Sequence, residues 1–177
     1  MGLRAASTSE LSAGDLAALR ALMDAAFDGG FTDEDMAHAL GGRHWLVELD
    51  GGIVSHASVV PRELDVDGRR LRAGYVEAVA TQPPDQGRGH GTAVVRAATE
   101  HIRAAYELGA LSTGEHHFYE RLGWERWRGP TFVRHPDGRR VATPDEDDGI
   151  MVLRHGASAG IDLTGAITCE WRPGDAW

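Results

Sequence analysis

The chain has 177 residues, 42% of them apolar and 25% charged, which fits one soluble globular domain with a sizeable core. Its formal net charge of -9 argues against a nucleic-acid partner, which asks for a basic face, and suits a cationic one. A single cysteine, Cys169, excludes an internal disulfide framework, and no apolar run approaches the roughly 18 residues of a membrane helix. The start, "MGLRAASTSELSAGD", lacks the basic and apolar regions of a secretory signal. A cytoplasmic protein without an anchor is therefore expected.

Leu16, Leu19, Leu22, Met23, Ala26 and Phe27 share one helical face, with a capping-box start at Ser12 and Asp15 and a stop at Gly29-Gly30. A short second helix follows, with Thr32 and Asp35 as its capping box and Gly41-Gly42 as its end. Strands come next: "HWLVEL" turns at Asp50-Gly51-Gly52 into "IVSHASVVPREL", and a turn at Asp67-Gly68 precedes a long strand ending near Thr81. Residues 92 to 107 predict a helix, stopped by Gly109. "ALST" reads as a strand, "EHHFYERLG" as a helix stopped by Gly123, and "WERW" as a strand. A hairpin about Pro136-Asp137-Gly138, the acidic stretch "TPDEDDG" and the strand "IMVLR" come before a tail of one or two strands. The order gives a single α+β domain over residues 1–177, with a central, mixed, mostly antiparallel sheet flanked by helices.

The junction "QGRGHG" lies between a strand and a helix. A helix N-terminus leaves N–H groups unpaired and carries about half a positive charge, and glycines let a phosphate reach that backbone. Arg88 adds a charge-assisted contact, so the loop reads as a pyrophosphate cradle. It lacks the Lys-Ser/Thr ending of a P-loop and the G-x-G-x-x-G spacing of a dinucleotide fold.

Gln86-Gly87-Arg88-Gly89-His90-Gly91 resembles the coenzyme A loop of the GNAT N-acetyltransferases. "HALGG", "GYVEAVA", "YELGALS", "FYERLGW", "TPDEDDG" and "CEWRPGDAW" resemble, in the same order, the aminoglycoside 2'-N-acetyltransferase subfamily. The resemblance covers nearly the whole chain and implies a GNAT-type domain. It further implies acetyl-CoA held between two splayed parallel strands, 73–81 and 110–113, and a cationic aminoglycoside as acceptor.

By that resemblance, acetyl-CoA is bound by the backbone at Val79 and Thr81 and by Gln86, Gly87, Arg88, Gly89, His90, Gly91 and Thr92. The Val79 N–H is the candidate oxyanion donor, Glu77 the general base and an amine contact, and Tyr119 the general acid. Period-two counting puts Glu77 on the face of Tyr75 and Val79. Asp35, Glu77, Asp147, Asp148, Asp175 and Trp177 are implied to bind the drug, Trp177 through a terminal carboxylate. One departure is Gly30, where the subfamily usually carries an acid; Asp28 stands nearby.

Without the resemblance, Glu77 reads equally as a salt-bridged strand residue, Tyr119 as a core tyrosine beside Phe118 and Leu122, and the acidic loop as solvated surface. The nine histidines show no metal-ligand spacing, so no metal is expected. Cys169, Trp124 and Trp127 read as core. The family also implies a homodimer. A GNAT enzyme for a polyamine or a protein N-terminus, or a non-catalytic coenzyme A sensor, are the other readings the residues allow.

Overall fold

The computed structural model describes residues 2–177. The chain divides into two compact units, one taking in Met1–Val60 and Val76–Glu100, the other Pro61–Tyr75 and His101–Trp177.

In the first unit, β1 (Gly2–Ser7) lies antiparallel to β2 (Arg43–Leu49), and β2 antiparallel to the first part of β3 (Gly52–Val66). β1 is absent from the expectations above. The β2–β3 turn places Asp50 and Gly51 at φ 51° and 83°, the left-handed region that Asp and Gly tolerate best. α1 (Ala13–Ala26) and α2 (Asp33–Ala39) start at the two expected capping boxes. Leu19, Leu22 and Met23 are buried at i, i+3 and i+4 against Leu46, Ile53 and Ala80. Each such side chain contributes about 1.5–3 kcal/mol of burial. Phe27, expected on that face, is instead 43% exposed, its ring stacked on Phe31 at 5.3 Å. It caps α1 rather than continuing it, so the helical period no longer aims it inward.

β4 (Arg69–Thr81) begins in the second unit and ends in the first. It leads through a short 3-10 turn at Pro83–Asp85 into α3 (His90–Ala105), which starts and ends two residues before the expected limits.

In the second unit the strand path runs β6-β9-β5-β4-β3-β10-β7-β8. Its members are β5 (Leu108–Ser112), β6 (Glu125–Arg126), β7 (Thr131–Arg134), β8 (Arg140–Ala142), β9 (Ile150–Arg154) and β10 (Ile167–Glu170). The β4–β5 and β10–β7 pairs are parallel, while β5–β9, β6–β9, β3–β10 and β7–β8 are antiparallel. The mixed, mostly antiparallel sheet is thus as expected. α4 (His116–Glu120) ends before Gly123, whose φ is 88°.

Gly109 corrects one expectation: it lies inside β5 and is no helix stop. It pairs with Gly74 across the β4–β5 ladder. A Cβ on Gly74 would sit 2.8 Å from Ile102 Cγ1 and 2.9 Å from Tyr106, and one on Gly109 2.8 Å from Leu153 Cβ. Close packing on both glycines, not a turn, is what selects them. Trp124, Trp127 and Cys169 are buried as expected.

Candidate active site

The first unit holds the glycine loop. Gly87 and Gly89 take φ of 75° and 86°, where an L side chain is strained, and nothing lies within 4 Å of the space a Cβ would fill. The loop backbone is therefore open on that side. No acidic residue stands in the first turn of α3, so its N-terminal N–H groups keep their pull on an anion. His90 is buried and Thr92 half-buried, while Gln86 and Arg88 are exposed. The Gln86 amide donates to the Thr81 carbonyl at 3.2 Å, and the Arg88 guanidinium to Asp85 at 3.0 Å. These residues fit a diphosphate: a bare backbone, a helix start, and a guanidinium held beside them by one exposed ion pair.

β4 in this unit departs from a regular strand. Ala78 has φ 50°, a left-handed conformation costing about 1 kcal/mol or more for an L residue. Residues 73–76 are all buried, and Glu77, Ala78 and Val79 are all half-buried. The positive φ of Ala78 interrupts the regular strand geometry that period-two counting assumes between Glu77 and Val79. Side chains of β3 hold this backbone. Ser58 donates to the Glu77 carbonyl at 3.3 Å, Ser55 to the Ala80 carbonyl at 2.9 Å, and the Ser55 and Thr81 hydroxyls are 2.9 Å apart. Asp35 serves its helix: one carboxylate oxygen accepts from the Thr32 amide and hydroxyl, each at 2.8 Å.

The second unit gathers the remaining acids. The Thr131 amide and hydroxyl lie 2.8 and 2.7 Å from Asp147 Oδ1. Asp147 and the exposed Asp148 line an open cleft with His116, Arg126 and Arg128. His116 Nε2–H donates to the Asp148 carbonyl at 2.7 Å. The tail is tied to the same loop, since the buried Trp177 donates its indole N–H to Thr143 Oγ1 at 3.1 Å. The Thr143 and Thr131 hydroxyls are 2.8 Å apart. Asp175 Oδ1 accepts the Trp177 amide at 3.1 Å. Burial first, then the charges of Asp175 and Asp145, push the Glu146 carboxyl above its ordinary range. Acids from the loop and the tail thus feel one another. Glu146 is the member that sequence reasoning did not single out, and its place in an acidic run was the sole signal.

Arg62 anchors that tail. It is 5% exposed, donates to the Ala176 carbonyl at 2.7 Å and the Glu170 carbonyl at 2.9 Å, and stacks over the Tyr75 ring at 4.8 Å. Nothing in the sequence marks it, because its partners lie over 100 residues away. Tyr119 is 6% exposed and packs edge-on against Phe118 (4.9 Å) and Trp124 (6.2 Å). Burial, reinforced by Glu115, raises its pKa, so the phenol holds its proton throughout the neutral range. Burial also pushes the Cys169 thiol up to about 11, which leaves it inert.

The acetyltransferase (GNAT) domain profile matches residues 7–127, well over half of the chain. The chain belongs to the GNAT acetyltransferase family. An aminoglycoside 2'-N-acetyltransferase of Mycolicibacterium fortuitum is 43% identical over 98% of this chain and 91% of its own. Among solved structures, a GNAT-family N-acetyltransferase of Escherichia coli in complex with CoA matches with a TM-score of 0.67 at 17% identity, over 95% of this chain and 88% of its own. A GNAT acetyltransferase of Brucella melitensis in complex with acetyl-CoA matches at 0.61 and 18%, over 94% of each chain. These likenesses give the α+β fold of the family. Among the described residues no helix is long and apolar enough to cross a membrane, and no group of three or more His, Cys, Asp or Glu could hold a metal.

Proposed function

We propose that this GNAT enzyme transfers the acetyl group of acetyl-CoA to the 2'-amine of an aminoglycoside antibiotic, by direct attack in a ternary complex. The observation that carries the proposal is the 43% identity, over nearly the full chain, to an aminoglycoside 2'-N-acetyltransferase. The acids of the second unit support it, because a carboxyl whose pKa is raised by burial and then by acidic neighbours is relieved by a cation. The net charge of -9 draws a polycationic drug toward the protein.

Acetyl-CoA supplies an activated acyl group whose carbonyl oxygen gains charge on attack. Residues 86–91, with Thr92 and the backbone of Thr81, hold the cofactor, Arg88 exchanging Asp85 for the diphosphate. Glu77 takes the proton of the incoming amine, directly or through water. The Val79 N–H donates to the charged oxygen, a contribution worth about 3–4 kcal/mol in acyl-transfer sites. Tyr119, kept protonated by burial, returns a proton to the departing sulfur. Asp35, Asp147, Asp148, Asp175 and Trp177, with Glu146, bind the remaining ammonium and hydroxyl groups of the drug. Acetylation removes one positive charge from an antibiotic whose target is anionic RNA, which is how such an enzyme confers resistance. The enzyme works as a cytoplasmic homodimer.

The test is release of free thiol from acetyl-CoA against a panel of aminoglycosides, with the product located by NMR. Turnover confined to drugs bearing a 2'-amine supports the proposal. Equal turnover of drugs with a 2'-hydroxyl, or none with any aminoglycoside, overturns it.

A further inference from the structure

Two fully enclosed histidines of the first unit take no part in the chemistry above. His44 and His56, on β2 and β3, are 0% and 1% exposed. They form the middle of a continuous hydrogen-bonded chain. Thr8 Oγ1 lies 2.8 Å from His44 Nε2, His44 Nδ1 lies 2.9 Å from His56 Nε2, and His56 Nδ1 lies 2.7 Å from the Ala78 carbonyl oxygen. The Gly41 amide donates to Thr8 Oγ1 at 2.8 Å.

A carbonyl oxygen only accepts, so His56 carries its proton on Nδ1. Its Nε2 then accepts, which puts the His44 proton on Nδ1 and leaves His44 Nε2 to accept from Thr8. The Thr8 hydroxyl also lies 3.3 Å from the Gly42 carbonyl, but His44 Nε2 at 2.8 Å is the nearer acceptor, so the donors run in one direction toward Ala78. Chains of this kind polarise and stiffen one another in a low-dielectric interior.

The end of the chain matters because of the peptide it grips. The Ala78 carbonyl and the Val79 N–H belong to one planar trans unit, in which C=O and N–H point in opposite directions. Pinning the oxygen on one side therefore sets the aim of the N–H on the other. That peptide follows a residue with φ 50°, a conformation an alanine does not hold unaided.

We infer that the Thr8–His44–His56 chain is a positioning device that locks the Ala78–Val79 peptide and so aims the Val79 N–H at the acyl oxygen. The inference rests on the assignment of that N–H under the proposed function. His56 acts through the backbone and touches neither substrate.

The test compares His56→Leu, which deletes the donor, His56→Asn, which returns an N–H close to the Nδ1 position, and Thr8→Val at the half-buried far end. Steady-state kinetics with acetyl-CoA and one accepted aminoglycoside are read beside the NMR shift and exchange rate of the Val79 amide. For His56→Leu, kcat should fall about 10- to 100-fold, the range for a misaimed catalytic group, with both KM values little changed. Asn should restore most of that loss, and Thr8→Val should show a smaller fall. The Val79 amide should shift and exchange faster in His56→Leu and Thr8→Val, and recover in His56→Asn. If His56→Leu does not fold, Thr8→Val and His56→Asn carry the comparison. Unchanged kcat with an unchanged Val79 amide overturns the inference, as does an Asn variant no better than Leu. A wild-type enzyme inactive on every aminoglycoside sinks the proposed acceptor instead, and the amide shifts still report on the aim.

Discussion

At the scale of single residues, the chemistry turns on groups whose protonation the fold controls. An aminoglycoside ammonium must lose a proton before it attacks, so the base matters most where few amines are free. Removing the carboxylate with Glu77→Gln should lower kcat/KM about 100-fold at neutral pH. The deficit should narrow as pH rises and the amine loses its proton unaided. A pH profile of kcat/KM checks this, and a flat ratio between variant and wild type would remove Glu77 from the role. Tyr119 is the complementary case: its raised pKa keeps the phenol protonated, the form that the proposed general-acid role requires.

At the scale of elements, each unit's share of the proposed chemistry depends on a local device. In the cofactor loop the device is backbone freedom. Gly87→Ala or Gly89→Ala places an L side chain at φ 75° or 86°, with about 1 kcal/mol of strain to relieve by moving the loop. Acetyl-CoA should bind about five- to tenfold more weakly in each, with acceptor KM unchanged, as titration calorimetry and kinetics would show. In the tail the device is Arg62. Arg62→Met deletes charged donors to the Ala176 and Glu170 carbonyls, both part-buried. The expected loss is about 2–4 kcal/mol of stability. Acceptor KM should rise while acetyl-CoA KM holds, which denaturant unfolding and kinetics would separate.

These elements also show what sequence could and could not reveal. Both Asp-Gly turns, both capping boxes and the stop at Gly123 were legible, because each is a local requirement met by a local residue. β1 was not, since "GLRAAS" alternates weakly and becomes a strand only by pairing with β2, some 40 residues away. Gly109 was misread because a close-approach glycine and a helix-stopping glycine look alike in sequence. The left-handed Ala78 leaves no signal, alanine being ordinary in any strand. The identities of the proposed site residues came from resemblance. The influence of Asp175 on Glu146, and the contacts of Arg62 with the tail, needed the fold.

At the scale of the whole molecule, the buried histidine pair ties stability to pH. Burial lowers the pKa of His44 to about 4, and burial with the neighbouring His44 lowers that of His56 to about 3, from an ordinary 6.5. Both are neutral in the fold near pH 7, and His56 cannot take a second proton without breaking the hydrogen bond it accepts from His44. The unfolded chain has no such constraint and protonates them near pH 6.5. Between that pH and the lowered values the unfolded state binds more protons, so stability falls as pH falls. The full contribution is present above about pH 6.5 and is lost progressively down to about pH 4 and 3, by up to about 1.4 kcal/mol per pH unit for each histidine. Carboxylates held low by partners, such as Glu125 beside Arg154, add to the loss only at more acid pH. Urea midpoints measured from pH 7.5 to 5 should therefore drop steeply before the carboxylates titrate. His56→Asn, with one titratable ring gone, should show a shallower slope over the same window. A wild-type midpoint that stays level from pH 7 to 5 would mean that the pair accepts protons freely and is not locked as the hydrogen bonds imply.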